Sequence, residues 1–237
     1  MIRILNEKMY TLFNMLGVNL REKRISYSQT GEDLIILDFL KLELGRKDIT
    51  YMDIGANEPK FLNNTYLMYK EGNKGILVEP NVNLCKKLER YRKRDIVLNC
   101  GVAGEHGKLT YYMMESDKIN SFSKDEMEEY VKLGHKLLGE KEIEVFAINE
   151  IFEKYGSVDF LSIDVEGLDF EILKSLNYRK YAPTVICVET QEYGGGKRDD
   201  FEEINQFLFG NGYMIYADTM LNTIYVNSEE FEKSRKR

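Results

Sequence analysis

The stretch Tyr51-Met-Asp53-Ile-Gly55-Ala-Asn57 decides the fold. A short apolar run that closes on an acid and then a glycine reads as a core strand turning tightly at its carboxyl end. Glycine there lets the backbone come close to a ligand where a side chain would clash. The same unit recurs outward from it. Gly75-Ile-Leu-Val-Glu79 reads as a second strand, and residues 64–71 as the crossover helix between them, ending at Gly72. Residues 81–94 carry Leu84, Leu88 and Tyr91 on one helical stripe, and 95–102 reads as a third strand. Residues 159–164 and 184–189 read as the fourth and fifth strands, with helices over 148–155, 168–176 and 199–209. Two last strands, 213–217 and 223–226, flank a short turn and form an antiparallel hairpin. Alternating strands and helices specify an α/β fold, a doubly wound, mostly parallel sheet covered on both faces.

One region breaks the alternation. Residues 108–114 and 142–147 alternate like strands around a helix over 123–138, with Ser123 as its cap and Glu126 three residues later. Residues 115–140 are therefore read as an insertion or lid within a single domain spanning 26–228. An apolar stripe at helical spacing marks residues 1–25 as an N-terminal helical extension, suited to packing on the domain or to a homodimer contact. Residues 229–237 read as a charged, solvated tail.

The chain has 237 residues and a net charge of -7, with 40 acids against 33 bases. Nucleic-acid binders carry a basic footprint, so nucleic acid is not the expected partner. The three cysteines, Cys85, Cys100 and Cys187, show no metal-ligand spacing and read as reduced thiols of a cytoplasmic protein. No apolar stretch is long enough for stable membrane insertion.

Doubly wound sheets bind ligands at the carboxyl ends of their strands. Four of the five parallel strands finish on or beside an acid: Asp53, Glu79, Asp164 and Glu189. An unpaired carboxylate is costly at a strand end buried by helices, so these positions are candidates for ligand contact. The turn Gly55-Ala-Asn57 lacks the Gly-x-Gly-x-x-Gly fingerprint of dinucleotide sites, which counts against a nicotinamide oxidoreductase. Glu79, at the end of the second strand, stands where a ribose is held. A phosphate-free turn with a ribose-binding acid is the combination S-adenosylmethionine would require. Asp164 and Glu166 could bind a metal, orient a hydroxyl, act as a base, or merely complement a helix dipole. With Glu189 they are the candidate Mg²⁺ ligands, should a metal be used. The run Tyr193-Gly-Gly-Gly196 suits a substrate lid or a flexible connection equally.

These residues carry a resemblance. The chain resembles the FkbM family of class I methyltransferases from about Ser26 to Val226. It does so through Ser26-Tyr-Ser-Gln29-Thr-Gly-Glu32-Asp33-Leu, Asp53-Ile-Gly-Ala-Asn57, Asn64-Thr-Tyr66, Gly75-Ile-Leu-Val-Glu-Pro-Asn81 and Ile163-Asp-Val-Glu-Gly167 with Phe170-Glu-Ile-Leu173. The resemblance implies a seven-stranded Rossmann-like sheet with a C-terminal antiparallel strand. It also implies S-adenosylmethionine as cofactor and O-methylation of a sugar, glycan or related small acceptor. The cofactor-binding set it implies is Gln29, Asp33, Asp53, Gly55, Ala56, Asn57, Asn64, Thr65, Glu79, Pro80, Val102 and Asp164. Within that set Asp53, Gly55 and Asn57 would line the methionine end, Glu79 the ribose and Val102 the adenine, with Gln29 and Asp33 closing the pocket. Glu58-Pro59-Lys60 departs from commoner members. The hydroxyl to be methylated is expected among Asp164, Glu166 and Glu189, with Glu166 or His135 as base. The rival readings are a silent cofactor-binding protein and, further off, the oxidoreductase.

Overall fold

The computed structural model describes residues 24–165, 167–191 and 196–236. Most of the N-terminal extension, Glu166 and residues 193–195 of the glycine run lie outside the described residues.

The stretch that opens the sequence reading forms β1 (Thr50–Ile54), and its last four residues are all buried. Burial on both faces is the mark of a parallel sheet covered by helices on each side. β1 pairs in parallel with β2 (Lys74–Val78) on one flank and β7 (Phe160–Ile163) on the other. The sheet extends through β3 (Ile96–Leu98) beyond β2, and through β8 (Val185–Glu189), β10 (Asn222–Asn227) and β9 (Tyr213–Asp218) beyond β7. The order is β3-β2-β1-β7-β8-β10-β9, seven strands with β10 antiparallel to both its neighbours. Strand order reverses between β1 and β7, so the ligand crevice opens at the carboxyl ends of these two.

The period-two alternation of the strands feeds two cores. Met52, Ile54, Val78, Leu161 and Ile163 face one side. There they meet α5 (Ile148–Tyr155), α6 (Asp169–Ser175) and α8 (Phe201–Gly210) through Phe152, Leu173 and Leu208. Tyr51, Leu77, Phe160 and Cys187 face the other side. They pack on α1 (Glu32–Asp38) and α2 (Tyr66–Lys70) through Ile36 and Met68. Each such large apolar side chain contributes about 1.5–3 kcal/mol by leaving water.

The structure departs from the sequence reading in three places. The expected third strand, 95–102, is split. Ile96–Leu98 stays in the main sheet, whereas Gly101–Ala103 (β4) pairs with β6 (Leu137–Ala147), which also pairs with β5 (Gly107–Met114), in a second sheet of order β4-β6-β5. Asn99 sits at the break and ties it to the end of β2, its Nδ2 donating to the carbonyls of Glu79 and Pro80, each at 3.0 Å. Gly101 is needed because a Cβ there would lie 2.7 Å from the Phe122 ring. The insertion helix, α4 (Lys124–Lys132), is shorter than expected, since Gly134 at φ +99 ends the turn and lets residues 137–147 extend against β5 (Gly107–Met114). Ser123 caps α4 as expected, but the Glu126 side chain accepts from Ser121 Oγ at 3.0 Å instead of closing a capping box. Finally, the expected charged tail is helical over Ser228–Arg235 (α9). Asn227 caps it, Phe231 packs edge-on to Tyr216, and Glu230 pairs with Arg46 at 3.1 Å.

Candidate active site

A cavity of about 860 Å³, open to solvent, lies at the strand ends of the crevice. β1 delivers Gly55 at φ +84. The Gly55 and Ala56 N–H groups both donate to the Val78 carbonyl, at 3.0 and 3.1 Å. A Cβ on Gly55 would stand 1.8 Å from the Asp164 carbonyl oxygen, so this floor is necessarily bare backbone. Asn57 follows at φ +47, another left-handed position.

Glu79, at the end of β2, is 3% exposed and lines the cavity. Oε2 accepts the Asn57 N–H at 2.9 Å and Oε1 the Asn81 N–H at 2.8 Å. Burial nevertheless pushes its carboxyl up to about 7, helped by the nearby charges of Asp117 and Asp53. A buried carboxylate with two N–H donors and no cation partner among the described residues suits a ligand that brings hydroxyl donors. Pro80 and Val102 line the neighbouring wall, with Gly101, Tyr111 and Phe122 making a largely apolar slot. Glycine floor, hydroxyl-seeking acid and apolar slot fit an adenosyl cofactor with no phosphates.

Asp164 and Glu189, from the ends of the adjacent strands β7 and β8, line the opposite part of the same cavity, with Gln29. The Asp164 carboxyl is pushed up to about 7, chiefly by desolvation and then by the charges of Asp169 and Asp53.

Other expected site residues stand behind the cavity wall. Asp53 is buried and accepts from Thr65 Oγ1 at 2.8 Å and Asn63 Nδ2 at 3.2 Å, and burial raises its carboxyl above the usual range. Arg92 is fully buried and binds Thr65 Oγ1, Asn63 Oδ1 and Tyr51 OH at 3.0–3.2 Å, while its Nε pairs with Asp95 at 2.8 Å. Asn64 donates to Ser162 Oγ at 3.2 Å, bracing the loop after β1 against β7. Asp33 accepts from Ser26 Oγ, the Tyr27 N–H and Ser28 Oγ, which ties the segment before α1. Asp33, Asp53, Ala56, Asn64 and Thr65 are absent from the cavity lining.

His135 is likewise away from the cavity. It sits in the insertion with Nδ1 3.4 Å from Glu115 Oε1 and its ring edge-on to Tyr130. Glu166, the other candidate base, lies outside the described residues. Among the described residues no group of three or more His, Cys, Asp or Glu is placed to hold a metal ion, so the Mg²⁺ alternative gains no support. Again among the described residues, no helix is long and apolar enough to cross a membrane.

The cavity also takes residues outside the expected cofactor set: Phe61 and Leu62 from the loop after β1, and Asp117, Lys118 and Asn120 from the insertion. The stretch Asn120-Ser-Phe122 signals part of this, as polar and aromatic residues in an otherwise helical insertion. Asp117 and Lys118 look in sequence like any solvated pair.

Residues 53–215 match the Methyltransferase FkbM domain. No curated protein matches the sequence. Among solved structures, the chain is similar to precorrin-6y C5,15-methyltransferase from Geobacter metallireducens GS-15, at 11% identity over 86% of this chain and 91% of that one, with a TM-score of 0.45. It is also similar to Aeropyrum pernix fibrillarin with natively bound S-adenosyl-L-methionine, at 12% identity over 84% and 74% of the two chains, with a TM-score of 0.44. A third likeness is the 1,6-didemethyltoxoflavin-N1-methyltransferase of Burkholderia thailandensis with S-adenosylhomocysteine, at 10% identity over 84% and 77%, with a TM-score of 0.40. These are distant likenesses of chain path, whereas the domain match spans more than half of the chain and includes Gly55, Glu79, Asp164 and Glu189. The chain belongs to the FkbM methyltransferase family and is an S-adenosylmethionine-dependent methyltransferase.

Proposed function

We propose that this enzyme methylates a hydroxyl of a small acceptor, a sugar, glycan or related metabolite, with Asp164 as the proton acceptor. The observation that carries the reading is the pair Asp164 and Glu189, on adjacent strands, lining the cavity that also holds Glu79. A hydroxyl must lose its proton as it is methylated, and a carboxyl raised to about 7 is well matched to take it at neutral pH. His135 has no part in this assignment, being away from the cavity.

Bound S-adenosylmethionine supplies an activated methyl group and a neutral leaving sulfide. The chain's own task is positional. Glu79 takes the ribose hydroxyls, Gly55 and Asn57 bring bare backbone to the methionine half, and Pro80 and Val102 pack the adenine. Glu189 and Gln29 orient the acceptor hydroxyl over Asp164, which removes its proton. A panel of glycosides and amine acceptors incubated with methyl-labelled cofactor tests this. Label on a sugar oxygen, lost in Asp164→Asn, is the expected result. Label only on nitrogen would overturn it.

A further inference from the structure

Asp117 opens the single 3₁₀ turn Asp117–Ile119 of the insertion and lines the cavity that holds Glu79. Asn57 and Asn81 hold it from the strand ends, and Asn120 Nδ2, just past the turn, donates to its Oδ1 at 3.4 Å. Asn57 Nδ2 donates to the Asp117 carbonyl at 3.2 Å, and Asn81 Nδ2 donates to its Oδ1 at 2.9 Å. The backbone N–H groups of these same two residues hold the two oxygens of Glu79. Asn81 thus touches both carboxylates, side chain to Asp117 and main chain to Glu79, while Asn57 links the Asp117 backbone to Glu79. Oδ2 of Asp117 takes no hydrogen bond from a described residue, and its charge already acts on Glu79.

The turn is fixed from behind. Ile119 sits in a separate small core with Tyr112, Met114, Met127 and Tyr130, and Asn120 Oδ1 accepts the Met114 N–H at 2.7 Å. The insertion therefore presents Asp117 from a packed platform.

Resting on the placement of the ribose at Glu79, we propose that Asp117 is a second carboxylate for the cofactor's ribose, so that the insertion itself completes nucleoside recognition. Two carboxylates facing one cavity, Asp117 at its exposed rim and Glu79 in its wall, repel unless hydroxyl donors come between them, and a ribose diol supplies two such donors. Asn81 couples the second carboxylate to the first.

Calorimetric titration of the full chain with S-adenosylhomocysteine and with its 2′,3′-dideoxy analogue tests the inference. Asp117→Ala should weaken the first about tenfold and leave the second unchanged. Asn81→Asp keeps the acceptor that caps its helix, loses the donor to Asp117, and should weaken the first in the same way. Equal losses against both ligands would make Asp117 a structural strut and overturn the proposal, as would no loss against either. A wild-type chain that fails to bind S-adenosylhomocysteine would overturn the placement of the cofactor together with this inference.

Discussion

Asn57 and Glu79 are joined across the ends of two neighbouring strands, the Asn57 N–H donating to Glu79 Oε2 at 2.9 Å. The bond fixes the carboxylate against a residue in the left-handed region at φ +47. Replacing Glu79 by Gln leaves the shape and removes the charge. Binding of S-adenosylhomocysteine should weaken by about 10- to 100-fold, the worth of hydrogen bonds to a charged acceptor, as read by calorimetry.

The same residue shapes stability without ligand. The Glu79 carboxyl has an ordinary value of 4.5 and is raised to about 7 in the fold, so the native chain holds a proton that the unfolded chain gives up. Stability from this group is full below about 4.5 and is lost as pH rises through about 7, by about 3 kcal/mol at most. Ligand-free Glu79→Gln should therefore melt higher than wild type at pH 8 and level with it near pH 4. Calorimetric melts at the two pH values check this.

Asp164 acts as a base only when ionised, so turnover should rise tenfold per pH unit below about 7 and level off above it. Asp164→Asn should lower kcat by about 10²- to 10⁴-fold and abolish that acid limb, with cofactor binding retained. His135→Ala should leave the pH profile and kcat as they are. A rate profile that follows His135 instead of Asp164 would refute the assignment of the base.

Gly55→Ala places a Cβ 1.8 Å from a backbone oxygen at a residue with φ +84. The left-handed strain alone costs about 1–3 kcal/mol, and the clash adds to it. Thermal melts should show a fall of about 2–12 °C from the strain alone for a chain of this size, more with the clash, or no folded protein.

Arg92→Met should destabilise by about 3–5 kcal/mol, since it strands the buried Asp95 carboxylate and removes four further hydrogen bonds. Denaturant titration reads this directly.

The main sheet was legible because its strands are apolar runs ending in punctuation, as at Asp53-Ile-Gly55 and Val78-Glu79-Pro80. Glu79, Asp164 and Glu189 were legible because an acid at a buried strand end needs a reason. Asp53 obeys the same pattern, yet its reason is internal: Thr65 and Asn63 both donate to its Oδ2. Nothing local separates the two cases, because the partners arrive from 10 and 12 residues away with Arg92 behind them. The split at Asn99 was hidden for a related reason, since β4 leaves the sheet only to pair with β6, about 44 residues on. The helix over Ser228–Arg235 was masked by its charge, with Phe231 as the single large apolar contact it offers the core.

The placement of β10 between β8 and β9 bears on how the chain is made. Val185–Val188 of β8 are fully buried, and their outer hydrogen-bonding edge is covered by residues 222–226 alone. During synthesis that edge stays bare until the later strand has left the ribosome, and a bare apolar edge invites pairing with other chains. The nascent polypeptide thus passes through an interval in which five parallel strands are ready and the sheet is unsealed. Folding to a sealed sheet waits on the last hairpin, and a chaperone that shields β8 in that interval would raise the yield of active enzyme.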